Sequence, residues 1–183
     1  MHDLFESALV ERCAPVLLGK KPAALFPKPV WWKSAHMRLF ARYDLCCEAF
    51  SRTERRDLLF VYRPHLLSPA LLRKPVPRAL KALGYPVSGC LDDDLRALSR
   101  RLAKSSDFPH EIGFFLGYPP EDVLGFMRHG GRNYKLCGSW KVYGDVEKAR
   151  ALFSEFSNCK SLLLAVLRDG GSILGIGDAA GAS

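Results

Sequence analysis

Between Phe108 and Tyr143 the chain reads F-P-H-E-I-G-F-F-L-G-Y-P-P-E-D-V-L-G-F-M-R-H-G-G-R-N-Y-K-L-C-G-S-W-K-V-Y. Six glycines and three prolines fall within these 36 residues. Glycine frees the backbone and proline restricts it, so together they break a chain into short pieces. Aromatic residues are interleaved with them and need cover. The segment therefore specifies a shaped surface and not one plain helix.

The rest of the chain must supply a scaffold for that surface. At 183 residues it is long enough to bury a core as one ordinary domain, expected over 1–169 and followed by a flexible Gly-rich tail at 170–183. Hydrophobic residues make up 48% and charged residues 25%, the balance of a globular protein. No apolar run reaches bilayer-spanning length, so no membrane partner is expected. The start, M-H-D-L-F-E-S-A-L-V-E-R, lacks a cationic region before an apolar stretch, which predicts no secretory leader and a cytoplasmic location.

Helical spacing of Leu4, Phe5, Ala8, Leu9, Cys13 and Val16 predicts a helix over 3–14, ended or kinked by Pro15. Gly19–Pro29 reads as a surface loop, and Trp31–Tyr43 as a second helix. Leu45–Phe50 and Asp57–Tyr62 read as strands. Short helices follow at 66–73 and 77–83. Leu91, Leu95, Leu98 and Leu102 form an apolar stripe behind Asp92, Asp93 and Asp94, which suit the positive end of a helix over 91–104. Further helices are expected at 109–116, from Pro119 to near Gly130, and at 145–168, with a strand at 139–143. The fold class is mixed α/β: a small sheet of three or more strands, containing 45–50, 57–63 and 139–143, covered by helices.

The six cysteines, Cys13, Cys46, Cys47, Cys90, Cys137 and Cys159, form no C-x-x-C pair and match no zinc spacing. They read as reduced thiols with no metal site. If Cys46 and Cys47 lie on a strand, they face opposite ways. The net charge of +8 sits wholly in the first half, where residues 1–90 carry 15 Lys and Arg against 7 Asp and Glu. No run of five basic residues occurs. A solubilising surface accounts for this pattern better than a nucleic-acid interface.

The segment F-P-H-E-I-G-F-F-L-G-Y-P-P-E-D-V-L-G-F, followed by G-S-W-K-V-Y-G-D, resembles the bacterial domain-of-unknown-function family 3793. C-A-P-V-L-L-G-K-K-P-A-A-L-F at 13–26 and L-L-F-V-Y-R at 58–63 are similar to it as well. The likeness covers most of residues 4–168, leaving out W-W-K-S-A-H and the chain beyond Gly170. It implies an uncharacterised bacterial group and brings no activity, cofactor or catalytic residue with it.

Candidate site residues come from the central segment. His110 and Glu111 fall in the first turn of a short helix that Ser106 or Asp107 could cap. There the dipole favours an ionised Glu111 and a neutral His110 able to act as base or ligand. A structural alternative makes Glu111 a cap and His110 a loop partner. Lys141 and Tyr143 alternate with Trp140 on a strand. With Arg132 and the N–H groups of Gly130-Gly131, they could hold an anion. Alternatively, Trp140 anchors a core and the Lys-Tyr pair is solvated. No P-loop or dinucleotide fingerprint is present, and no motif names a cofactor.

Three readings follow. The first is a small anionic ligand or cofactor bound near residues 110–143 by His110, Arg132, Lys141 and Tyr143. The second is a cysteine-dependent enzyme, with catalytic candidates Cys13, His110 and Glu111, although Cys13 sits on an apolar stripe where a buried thiol is the simpler reading. The third is a nucleic-acid module with a helix-turn-helix-like hairpin at 109–130. It is weakened by Glu121 and Asp122 opening the second helix, where they would repel phosphates.

Overall fold

The computed structural model describes residues 4–30, 32, 40–41, 44–52, 55–104 and 108–173. Its architecture follows from one strand. In β3 (Arg55–Tyr62) the consecutive residues Leu58, Leu59, Phe60, Val61 and Tyr62 are all buried. Neighbouring strand residues point to opposite faces, so such a run needs cover on both sides. β3 is accordingly the centre of an antiparallel three-stranded sheet, flanked by β1 (Ala23–Pro27) and β2 (Cys46–Arg52).

Ala24, Cys47 and Val61 share a register, and with Phe26 and Leu59 they form one face. Ala23, Phe50, Leu58, Phe60 and Tyr62 form the other. Cys47 is buried and Cys46 exposed, as alternation requires. Helices α1 (Leu4–Leu17) and α7 (Val146–Arg168) pack on each other and close the first face. The second face is covered by α2 (Pro64–Leu72), α3 (Val76–Ala82), α4 (Leu91–Lys104), α5 (Ile112–Phe115) and α6 (Pro120–His129). In α4 the expected stripe is realised: Leu95, Leu98 and Leu102 are buried, each worth about 1.5–3 kcal/mol of apolar transfer. The structure is thus mixed α/β, with helices on both sides of a small sheet.

Helix α1 kinks at Cys13, whose φ of −142° leaves the helical region two residues before Pro15. Proline removes a backbone donor and crowds the preceding turn. The freed carbonyls at the end of α1 are met from afar: Arg63 donates from Nε to the Val16 oxygen at 2.7 Å and from Nη2 to that of Leu17 at 2.7 Å. Part of the basic excess in the first half is therefore internal cement for a helix end.

Two expectations are corrected. Gly19–Pro29 is not a loop throughout, because Ala23–Pro27 forms edge strand β1 paired with Leu58–Tyr62. Its Lys- and Pro-rich flanks hid a five-residue strand, and proline is tolerated at a strand's end on a sheet edge. The segment at 139–143 does not join the main sheet. It contributes β5 (Lys141–Val142), paired only with β4 (Leu136–Cys137) in a separate small hairpin. The tail is anchored at its start, where the Glu6 carboxylate accepts from Ser172 Oγ and Ile173 N, both at 2.7 Å, and Ile173 is buried. Residues 174–183 and most of the helix expected at Trp31–Tyr43 lie outside the described residues. No described helix is long and apolar enough to cross a membrane.

Candidate functional site

The Gly-Pro-aromatic segment forms α5, α6 and the β4–β5 hairpin, and a cavity of about 340 Å³ opens between them. Two glycines make the close approaches possible. Gly117 turns the chain after α5 at φ +75°, with Pro22 packed where a Cβ would stand, 2.4 Å from its Cγ. Gly125 on α6 leaves room for the Tyr143 ring, whose Cγ would lie 2.4 Å from a Cβ there. The hairpin can thus lie directly on α6. Its other side rests on the first half of α7 through Trp140, Val142, Ala149, Phe153 and Phe156. Trp140 stacks on Tyr118 at 4.8 Å and meets the edge of Phe153 at 4.5 Å.

A buried carboxylate locks this junction. Asp122, in the first turn of α6, is only 2% exposed. One oxygen accepts from Trp140 Nε1 at 2.7 Å, and the other from Tyr143 N at 2.7 Å and Gly144 N at 2.8 Å. These three donors and the helix N-terminus offset the cost of burying the charge. In the sequence Asp122 reads only as an acid unsuited to DNA. A signal was present: Asp122 precedes Gly125 and Phe126 by three and four residues, so it shares their inward face.

Glu111 has a second locking role. It is buried, accepts from Tyr85 Oη at 3.1 Å, and forms an ion pair with Arg101 Nε. Arg101 also donates from Nη1 to the Leu83 carbonyl at 3.2 Å. The phenol of Tyr85 is pushed well above its ordinary range, first by burial and then by the adjacent carboxylate. Contrary to expectation, His110 and Glu111 lie in the turn before α5 and not in a helical first turn. Glu111 occupies the N-cap position without capping through its side chain. Ser106 and Asp107 lie outside the described residues.

His110 is exposed, meets Phe126 edge-on at 4.8 Å, and lines the cavity. Lys141 lines the same cavity. Its ammonium donates to the Gly131 carbonyl at 2.7 Å and lies 4.9 Å from the Tyr134 ring and 5.8 Å from that of Phe126. The walls are largely apolar, including Phe108, Ile112, Val123, Phe126 and Trp140. Beyond Phe108 and His110, which line both hollows, lies an open groove of about 840 Å³ bearing Arg100, Arg101 and Lys104. Arg132 is exposed on the loop after α6 and does not line the cavity. Tyr143 is stacked on His129 at 5.7 Å beside the cavity, and its buried hydroxyl has no hydrogen-bond partner among the described residues.

The structure does not bring Cys13 to His110. Cys13 is fully buried on the α1–α7 side of the sheet, whereas His110 belongs to the opposite layer. Its Sγ–H donates to the Leu9 carbonyl at 3.1 Å, and burial pushes the thiol up to about 12. A thiol so held is protonated and a poor nucleophile. Iodoacetamide should therefore label exposed Cys46, Cys90 and Cys137 promptly and leave Cys13 until the protein unfolds. Labelling of native Cys13 at the rate of Cys90 would contradict this placement.

Nor does the segment 109–130 form a two-helix unit of the helix-turn-helix kind. α5 spans only Ile112–Phe115 and is wholly buried, and the inward face of α6 is occupied by the β4–β5 hairpin. Among the described residues, no group of three His, Cys, Asp or Glu side chains is placed to hold a metal.

Fold and site together define a mixed α/β protein with a helix-and-hairpin cavity that is apolar inside and basic at its edge. The chain matches the family described as "Protein of unknown function (DUF3793)" over residues 9–176, and it belongs to that family. The match runs past Gly170 and across the W-W-K-S-A-H segment. No curated protein and no solved structure matches this chain significantly.

Proposed function

We propose that this protein binds a small ligand with an apolar, ring-sized body and an anionic group. The supporting observation is that His110 and Lys141 line one cavity whose remaining walls are mainly aliphatic and aromatic. A volume of about 340 Å³ suits a small molecule, and a few polar groups on an apolar wall are what orient one. Asp122 also lines the cavity, but both of its oxygens are engaged by the hairpin, so it adds no free acceptor. Lys141 has three donors and uses one on Gly131, which leaves charge and donors for a carboxylate or phosphate. His110 stands where the cavity passes into the basic groove, so an anion reaching out of the cavity meets positive charge there. Arg132 and Tyr143 support the site from outside its lining: Arg132 adds charge nearby, and Tyr143 fixes the hairpin through its backbone.

Titration calorimetry with 2-naphthoate and the neutral 2-naphthalenemethanol tests the reading. Naphthoate should bind saturably, at least about tenfold more tightly than the alcohol, because a charge-assisted hydrogen bond is worth about 1.5–3 kcal/mol. Lys141→Met should erase that preference and Lys141→Arg should retain most of it. Absence of saturable binding by both probes, or an unchanged preference in Lys141→Met, overturns the proposal.

A further inference from the structure

We propose that Lys21 is a nucleophilic amine that captures a small carbonyl compound as an imine. A second hollow of about 270 Å³, between α1 and α7, contains Lys21 and shares only Ser139 with the ligand cavity, while the Tyr118 ring that Lys21 meets lines that first cavity.

Three observations carry the inference. First, the Lys21 ammonium has no ion-pair or hydrogen-bond partner among the described residues, although it lies in a half-buried position. Its neighbours are instead two ring faces, with Nζ 5.0 Å from the centre of Tyr118 and 5.8 Å from that of Phe156. The other cations of this region are engaged: Lys20 with Glu155, Lys160 with Glu11, and Arg12 over Phe26. Second, Lys21 lines the hollow, so a reagent of a few carbon atoms can approach its side chain. Third, burial lowers the amine to about 8. At pH 7.5 roughly a quarter of such amines carry a free lone pair, against about one in a thousand for an ordinary lysine.

The ionisable groups around the hollow support this state. Glu11, Arg12 and Cys13 come from α1, Lys160 from α7, and Tyr118 from the turn after α5. Among the described residues Glu11 is the one carboxylate lining the hollow, and it pairs with Lys160. The Cys13 thiolate would favour a charged lysine, but burial keeps that thiol protonated to about pH 12. Among the described residues no free carboxylate lines the hollow, and although the two ring faces favour the ammonium, desolvation by burial is the larger influence and lowers the amine. The ordinary alternative, a lysine stem filling space between two rings with its charge in water, predicts ordinary reactivity.

In the reaction, the nitrogen lone pair forms a C–N bond to the carbonyl carbon. The carbonyl oxygen then leaves as water with the two amine hydrogens, and a C=N bond remains. No oxidant or reductant is consumed. The hollow of about 270 Å³ admits a compound the size of pyruvate.

Reductive trapping tests this directly. The full chain is incubated with pyruvate and cyanoborohydride, and the carboxyethyl adduct on each lysine is quantified by peptide mass spectrometry. Lys21 should be modified at least about tenfold faster than exposed Lys148, with a rate that climbs through pH 8 as the free amine appears. Lys21→Arg keeps a cation between the rings and should abolish the fast phase while native circular dichroism is retained. Modification of Lys21 no faster than Lys148, or a rate that rises only near the ordinary lysine range, overturns the proposal. The naphthoate experiment is read at Lys141, so either result stands without the other.

Discussion

Asp122→Ala should destabilise the protein by about 3–5 kcal/mol in urea unfolding, the largest effect expected of any single side chain here. The wild-type carboxylate gathers the Trp140 indole and the backbone donors of Tyr143 and Gly144 onto the first turn of α6. Alanine leaves three donors without an acceptor in a site that is only 2% exposed, together with a void the size of the lost carboxylate. Asp122→Asn separates charge from shape. An amide keeps one acceptor oxygen but turns a donor toward another donor, so a loss of about 2 kcal/mol is expected. Because the same contacts hold the hairpin against α6, Asp122→Ala should also abolish naphthoate binding. A loss below about 1 kcal/mol for alanine would mean that water replaces the carboxylate, and that the hairpin does not depend on this node.

Arg101→Ala should cost about 2–3 kcal/mol, a loss that pairing with Glu111→Leu should largely reverse. Glu111 is 3% exposed and leans on two partners, the Arg101 guanidinium and the Tyr85 hydroxyl. Removing the arginine strands a buried carboxylate with one neutral hydrogen bond. Removing both charges takes away the penalty along with the attraction. Arg101 is 40% exposed at its side chain, and water entering from the groove can reach the vacated position, so the effect stays below that of Asp122. The double-mutant cycle reads this as a coupling of about 1.5 kcal/mol or more. Additive losses across the cycle would show that the pair is solvated in practice and that α4 and the α5 turn are joined by apolar packing alone.

These two carboxylates show where sequence reading stops. The stripe Leu91, Leu95, Leu98, Leu102 led to α4 with its observed boundaries, and the apolar run Leu58–Tyr62 led to β3. The dense Gly-Pro-aromatic segment marked the cavity's position, and Trp140 is the anchor its spacing allowed. Asp122 and Glu111, in contrast, look in the sequence like any acids near a helix start. One accepts from the hairpin and the other pairs with α4; helical spacing puts Asp122 on the inward face of α6, but no periodicity names either partner. The β1 strand was hidden for a related reason, since Ala23–Pro27 is too short to show a period and is flanked by lysines and prolines.

The order of apolar and breaking residues alone determined most element types, β1 excepted, and the placing of a moulded surface at 108–143. Periodicity and backbone restriction act within a few residues, so they can be read along the chain. Tertiary structure decided which sheet the Trp140 segment would join, that Cys13 and His110 would be kept apart, and that the Lys21 ammonium would lie over the rings of Tyr118 and Phe156. Those outcomes depend on helices closing over opposite faces of one sheet. Charge, desolvation and ring contact then arise between residues distant in the chain, where no local pattern records them.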